Sequence, residues 1–143
     1  MSLQMSRKAI PYTPVTKPLA DMTLMIVSTA GVHLKEQQPY DVKGDATYRV
    51  IPGDVDVRDL TVTHGAPIHD YNWEEPRRDP NTIFPVDRLR ELATAGVIKA
   101  VAEKHVSMMG YALRLNEINS VTAPAIAKEV ERSRADAVIL TAG

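Results

Sequence analysis

The residues of this chain best suited to proton transfer are its four histidines, because imidazole titrates near neutral pH. His33 and His105 each follow an apolar segment at a short distance, His64 precedes a glycine, and His69 lies in a polar loop. No His-x-x-x-His spacing occurs, so a metal site is poorly supported and none is expected. A single histidine is more often a loop or core residue with satisfied hydrogen bonds than a catalytic group, and both interpretations stay open for His33 and His105.

Hydroxyl groups are the other candidate ligands, since cysteine is absent from the sequence. That absence excludes disulfides, thiolate metal ligands and a cysteine nucleophile within residues 1–143. Ser28, Thr29 and Thr141 could bind a ligand, although hydroxyls at such positions more often satisfy the backbone at a strand end. Neither a Gly-x-Gly-x-x-Gly run nor a P-loop motif is present, so a nucleotide site is poorly supported.

Two of these hydroxyls lie in similar turns, Thr29-Ala30-Gly31 and Thr141-Ala142-Gly143. Each turn follows a short apolar run, at residues 23–28 and 137–140, of the kind that forms a strand buried on both faces of a parallel sheet. A third such run, at residues 97–102, precedes His105. Because the carboxyl ends of parallel strands meet at one edge, where ligands bind in open α/β sheets, the sequence predicts a site at that edge.

Two helices are predicted between these strands. The first spans Pro85–Ala95, with proline in its first turn and Gly96 as the carboxyl-terminal cap. The second spans Thr122–Arg134 and is capped by Thr122. Its predicted buried face consists of Ile126, Ala127 and Val130. Helices that alternate with strands indicate βαβ units, so we predict a three-layer α/β fold with a mainly parallel sheet and flanking helices, Rossmann-like or flavodoxin-like.

The length of 143 residues fits one globular domain with a sizeable core. The net charge of -1 predicts no attraction to nucleic acid or to an anionic membrane. No run of about 18 apolar residues and no signal-peptide pattern occurs, so we expect no membrane span and a cytoplasmic location. Three prolines between residues 10 and 18 exclude a regular helix or a central strand. Residues 1–18 are therefore predicted to form an extended arm, and residues 19–143 a single α/β domain.

Several longer runs carry a family resemblance. They are Thr13–Lys17, Ala30–Lys35, Arg49–Asp54, Thr63–Gly65, Phe84–Leu92, Ile98–Ala102, His105–Val106 with Met109–Gly110, and Asp136–Gly143. Their residues and their order resemble the selenoprotein B family of glycine, sarcosine and betaine reductases, from about Thr13 to the end of the chain. Because several runs are long and in the family's order, the resemblance is specific.

In that family the residue after this Thr-Ala-Gly turn is selenocysteine. The resemblance therefore implies a chain truncated just before the selenium, incomplete at its C-terminus and inactive alone. The implied reaction is reductive cleavage of a C–N bond, as in the conversion of D-proline to 5-aminovalerate. A pyruvoyl group on a partner subunit would capture the amine as an iminium, a selenolate would attack the α-carbon, and thiols would re-reduce the selenium. No cofactor is expected in this chain itself.

The resemblance and the strand-end positions together imply a set of site-lining residues. They are Thr29, Gly31, His33, His64, His105, Gly110, Thr141 and Gly143. The three histidines would supply protons or hold the substrate carboxylate, roles that rest on position alone.

Alternatives to this function stay open. Residues 69–80 and 111–119 depart from the family pattern, which leaves glycine, sarcosine or betaine as possible substrates in place of D-proline. A chain that has lost the redox residue would be a non-enzymatic α/β binding or interaction module. If the chain is truncated, we expect the sheet to lack a covering helix and to expose an apolar patch there. We then also expect the chain to self-associate through this face.

Overall fold

The central strand of the main sheet is β1 (Thr23–Ser28). The computed structural model of the protein describes residues 13–65 and 72–142. The other strands are β2 (Val32–Leu34), β3 (Tyr48–Pro52), β4 (Leu60–Val62), β5 (Ala100–Val101), β6 (Lys104–Met108) and β7 (Ala137–Thr141). The helices are α1 (Glu74–Arg78), α2 (Val86–Thr94), α3 (Leu115–Glu117) and α4 (Ala123–Ser133), with a π-helical turn, Ile118–Thr122, between the last two.

The main sheet is mixed, but most of its pairs are parallel. On one side β1 lies parallel to β5 and then to β6, and on its other side it lies parallel to β7. β3 runs antiparallel to β6, and β2 pairs with β4 in a separate antiparallel ribbon. β1 therefore brings the carboxyl ends of β6 and β7 to the same edge of the sheet, and the start of β3 joins them there.

The core has two layers because successive side chains of β1 point to opposite faces. Leu24 and Ile26 belong to a large cluster that includes α2, the β2–β4 ribbon and the fully buried Phe84. Met25 belongs to a smaller cluster against which α4 packs. Helices thus flank both faces of a mainly parallel sheet, and the predicted α/β fold is confirmed.

The third strand is not where the apolar run predicts it. Only Ala100–Val101 of residues 97–102 is strand, and the longer β6 begins at Lys104. Gly96 has a left-handed backbone conformation. The N–H of Val97, the next residue, donates to the carbonyl of Leu92 (2.9 Å), so Val97 is still bonded to the end of α2 and does not begin a strand. The Gly53 N–H donates to the carbonyl of Glu103 (2.7 Å), at the break between β5 and β6. The second contact joins segments that are distant in sequence, so local periodicity does not reveal the break.

Of the two predicted helices, the first is confirmed as α2. Its Arg90 reaches back to the β3–β4 connection, where it donates to the carbonyls of Gly53 (2.8 Å) and Val55 (2.6 Å). Val86 and Leu89 supply the buried face of α2. The Arg90 bonds therefore fix the helix to the connection at the amino end of the sheet.

The second helix differs from the prediction at its start. Thr122 does not cap it: the Thr122 hydroxyl donates to the carbonyl of Ala46, and helical structure precedes α4 from Leu115 onward. Ala127 is exposed, whereas Ile126 and Val130 pack on the smaller core. The predicted cap was wrong because the Thr122 hydroxyl satisfies a distant backbone carbonyl.

β7 is less buried than its apolar run predicts. Within the part of the chain that the structure describes, β7 pairs along one side only, with β1. Ala137 and Ile139 pack on the large core and Val138 on the small one, but Leu140 is 78% exposed. The expectation of burial on both faces was wrong, because no described element covers Leu140.

The described part of the predicted arm, residues 13–18, is neither helix nor strand. Its Lys17 forms an ion pair with Asp136 (2.5 Å), just before β7. Residues 1–12 lie outside the described chain, so the division into an arm and a domain stays a prediction. None of the helices in residues 13–65 and 72–142 is long and apolar enough to span a membrane.

Candidate functional site

The carboxyl edge of the main sheet brings together four of the predicted site residues. The Thr29 N–H donates to the carbonyl of Thr141 (2.9 Å), and the Gly110 N–H donates to the carbonyl of Thr29 (2.7 Å). The Gly31 N–H donates to the carbonyl of Met108 (2.9 Å). The ends of β1, β6 and β7 are thereby tied into one small-residue surface. Whether these residues line a functional site stays a prediction.

Two glycines let the loops approach this edge closely. Gly31 has φ 70°, and a Cβ there would lie 2.0 Å from the carbonyl oxygen of Thr63. A Cβ on Gly110 would lie 3.0 Å from the carbonyl oxygen of Thr29. The first contact cannot accommodate a side chain, and the second leaves little space for one. A side chain at position 31 would therefore push the loop that carries His64 away from the edge.

The hydroxyl of Thr141 is buried and has no hydrogen-bond partner in the described chain. Its register partner on β1 is Ser28, whose hydroxyl accepts the N–H of Ala30 (3.1 Å). The two neighbouring strand ends therefore differ. The Ser28 hydroxyl is bonded to the backbone of the turn that follows it, whereas the Thr141 hydroxyl has no such bond in the described chain. Buried polar atoms are rarely left without a partner, so the Thr141 hydroxyl is a candidate to contact a bound group.

His33 lies shortly after the first turn, as the sequence predicts, but its side chain is buried and both of its ring nitrogens have hydrogen-bond partners. Its Nδ1 donates to the carbonyl of Leu34 (2.7 Å), and its Nε2 accepts from the hydroxyl of Thr63 (2.9 Å). The ring also lies edge-on to Tyr40 at 5.8 Å. These contacts favour the structural interpretation of His33, which joins β2 to the end of β4.

His64 adjoins the carboxyl edge through its neighbour Thr63, whose N–H donates to the carbonyl of Gly31 (3.0 Å). The imidazole stacks on the indole of Trp73, with centroids 4.3 Å apart and an angle of 20°. Partial burial lowers the pKa of His64. The imidazole of His64 is therefore less readily protonated than one in water, and its part in the chemistry stays a prediction.

His105 does not lie past a strand end, and the sequence-based placement was wrong. It is the second residue of β6, fully buried, and the N–H of Ile26 donates to its Nδ1 (3.1 Å). Nε2 has no partner among the described residues, and the ring meets Phe84 edge-on at 5.7 Å. Burial, and secondarily the charge of Arg90, lower the pKa of His105 to about 4. The neutral ring thus acts as a structural link between β1 and β6.

Two predicted residues cannot be placed: His69 and Gly143 lie outside the described residues. Among the described residues, no group of three His, Asp or Glu side chains could hold a metal ion.

Sequence reasoning missed two features near this edge. The hydroxyl of Tyr40 donates to the carbonyl of Ser107 (2.7 Å), and burial raises the pKa of this phenol well above its usual range. The stacking of Trp73 on His64 was also missed. Neither residue falls in a motif, and nothing in the local pattern signals these long-range contacts.

Comparison with known proteins decides the family. Residues 2–143 match the protein-family model described as glycine/sarcosine/betaine reductase selenoprotein B. The chain belongs to this family. It is also 42% identical over 132 residues to D-proline reductase subunit gamma of Acetoanaerobium sticklandii, across 92% of this chain and 53% of that protein. The chain thus spans about half the length of this relative, and no solved structure matches it.

Membership of the selenoprotein B family confirms the resemblance seen in the sequence. As a member of this family, the chain is related to the selenoprotein subunits of reductases, which are oxidoreductases. The small residues, and a Thr141 hydroxyl that has no partner among the described residues, make the carboxyl edge the natural candidate site in this selenoprotein B chain.

Proposed function

We propose that this chain belongs to the selenoprotein subunit of a D-proline reductase-like enzyme, which reductively cleaves a C–N bond. The relative named D-proline reductase subunit gamma, with 42% identity, supports this proposal over the wider family. The observation that carries it is the hydrogen bond between Thr29 and Thr141 (2.9 Å), which joins the ends of two parallel strands at the carboxyl edge. A nucleophile on the turn that follows β7 would lie at this edge of the sheet.

The proposed nucleophile is a selenolate, displayed on the turn that follows β7. It attacks the α-carbon of D-proline, so that a Se–C bond forms and the C–N bond breaks with its electron pair passing to nitrogen. One thiol then attacks selenium, and the released α-carbon takes a proton, which gives 5-aminovalerate. A second thiol displaces the selenolate and leaves a disulfide, so that two thiols supply the two electrons. Selenium suits this task because a soft, readily ionised atom is both a good nucleophile and a good leaving group.

The residues of this chain would position and polarise the reacting groups. The Thr141 hydroxyl can donate a hydrogen bond to a group at the end of β7, since it has no partner in the described chain. Gly31 allows the loop that carries His64 to approach the edge closely, which would bring His64 beside the reacting groups. A pyruvoyl group on a partner subunit would supply the electron withdrawal that weakens the C–N bond.

The proposal includes subunit partners and a small amino-acid substrate, because the relative is named as one subunit of a reductase. It also includes self-association of this chain through the side of β7 that no described strand pairs with, where Leu140 is 78% exposed. Sedimentation of the chain before and after Leu140→Lys tests this part: the substitution should shift the chain toward the monomer, and an unchanged distribution would contradict it.

The reaction is tested by incubating the protein with its partner subunits, a dithiol and D-proline, and measuring 5-aminovalerate. We expect product from D-proline and none above background from glycine, sarcosine or betaine. Product from one of those three amines alone would support a reductase function but contradict D-proline as the substrate. Absence of product from all four, with the complex intact, would contradict the proposed function.

A further inference from the structure

Asp136, the residue before β7, is bonded to the first residue of β1 in two ways. Its N–H donates to the carbonyl of Thr23 (2.8 Å), and its carboxylate accepts the N–H of Thr23 (2.8 Å). One residue thus satisfies both backbone groups of Thr23. Because Leu24 and Ala137 are the first paired positions of the two strands, this double contact lies at the start of their ladder.

The same carboxylate also holds the N-terminal arm. Lys17 contacts the other carboxylate oxygen at 2.5 Å, and the two side chains are 41% and 24% exposed. Residues 13–17 line one groove with Val138 of β7, so the arm lies beside the start of that strand. The Lys17 ammonium and the Thr23 N–H lower the pKa of Asp136, so its carboxylate is charged at neutral pH and can hold both groups.

The apolar side chains of β7 do not fix its register alone. Ala137 and Ile139 pack on the large core and Val138 on the small one, so a shift by one residue would reverse the faces. A shift by two residues would keep the faces, because Leu140 would take the place of Val138 and both are apolar. At about 3.3 Å per residue, such a shift would move the turn after β7 by roughly 7 Å along the sheet.

We propose that Asp136 is a positioning residue for the reductase reaction, an inference that rests on the proposed function. Its bonds to Thr23 oppose the two-residue shift, because a shifted carboxylate could no longer reach the Thr23 N–H. The register that they fix pairs Ser28 with Thr141 and lets the Thr29 N–H bond the Thr141 carbonyl, which sets the turn after β7 at the carboxyl edge. Asp136 thus acts through β7, from the opposite end of the strand.

The first measurement is amide hydrogen exchange, followed by NMR in the unaltered chain and in Asp136→Ala. The probe is the Thr29 N–H, which is bonded to Thr141 at the far end of β7. The reference is the Ala102 N–H, which is bonded to the carbonyl of Leu24 (2.8 Å) on the other side of β1. We expect Thr29 to exchange at least about tenfold faster in the variant and Ala102 to change by less than about threefold, whereas a loss of overall stability would speed both.

Further variants separate the hydrogen bond from the charge. Asp136→Asn keeps an acceptor for the Thr23 N–H but loses the charge opposite Lys17, so exchange at Thr29 should stay within about threefold of the unaltered chain. Asp54→Ala, the same truncation at an exposed aspartate, is the control and should change neither amide. If Asp136→Ala does not fold, Asp136→Glu replaces it, since the longer side chain keeps the charge but displaces the oxygen that bonds Thr23.

The second measurement is the reduction of D-proline by the complex with its partner subunits. Asp136→Ala should lower kcat at least about tenfold and change KM little, because a displaced turn misplaces the nucleophile. Exchange at Thr29 that is unchanged, or that rises no more than at Ala102, would overturn the inference, and so would an unchanged kcat. Product formation by the unaltered complex would be intact in each of these cases, whereas its absence with all four amines would contradict the proposed function itself.

Discussion

At the scale of single residues, we expect His105 to make the stability of the fold depend on pH. Its neutral Nδ1 accepts the N–H of Ile26, and burial lowers its pKa to about 4 from 6.5. The unfolded chain therefore binds a proton before the folded chain does, so stability is full above pH 6.5 and falls as the pH drops toward 4. At about 1.36 kcal/mol per pKa unit, the loss between pH 7.5 and 4.5 is on the order of 2–3 kcal/mol.

This pH dependence is measured by urea unfolding of the unaltered chain and of His105→Gln at both pH values. The variant should be less stable at pH 7.5 but should lose less stability on acidification, because it has no imidazole to protonate. An equal loss in the two proteins would show that His105 does not govern the acid sensitivity.

Also at the residue scale, the Thr141 hydroxyl should matter for catalysis and not for folding. Thr141→Val keeps the shape of the side chain and removes a hydroxyl that has no partner in the described structure, so its stability should be unchanged or slightly higher. We expect its kcat to fall about tenfold or more, with KM little changed, since loss of one preorganised donor costs at least this much. Thr141→Ser, which keeps the hydroxyl, should retain most activity. Equal kcat for Thr141→Val and the unaltered protein would remove Thr141 from the site.

At the scale of elements, α2 is fastened to the β3–β4 connection by Arg90. Its guanidinium bonds the carbonyls of Gly53 and Val55 and the carboxylate of Asp87, at 2.6–2.8 Å. Arg90→Ala should lower the free energy of unfolding by about 2 kcal/mol, because it leaves two carbonyls without donors. The matched control is Arg88→Ala, whose exposed pair with Glu91 should contribute less than about 1 kcal/mol. Similar losses in chemical denaturation for both variants would contradict this account.

The elements also show how far sequence reasoning reaches. Local sequence patterns predict the strand at residues 23–28, helix α2 and the turn at Thr29–Gly31. The convergence of the strand ends follows from the parallel topology. The break before β6 could not be predicted, because it depends on Gly53, a residue from another strand connection. His105 was misplaced for the same reason.

At the scale of the whole molecule, the two edges of the sheet differ. The amino end of the sheet is held by Arg90 and by the Lys17–Asp136 pair (2.5 Å). The carboxyl edge carries the small-residue turns and the Thr141 hydroxyl, which has no hydrogen-bond partner in the described chain. This asymmetry places the candidate chemistry on one side of the molecule. The contact of Leu113 with Gly44 has no local signal in the sequence and emerged only from the structure.

The central claim is that a selenium nucleophile acts at the carboxyl end of β7. Its most direct test is mass spectrometry of the reduced protein after iodoacetamide treatment, on the peptide that contains β7, with D-proline reduction assayed in parallel. We predict one alkylated selenocysteine directly after Gly143, and loss of 5-aminovalerate formation in proportion to that alkylation. Any residue other than selenocysteine at that position, or full activity after its complete alkylation, would contradict the claim.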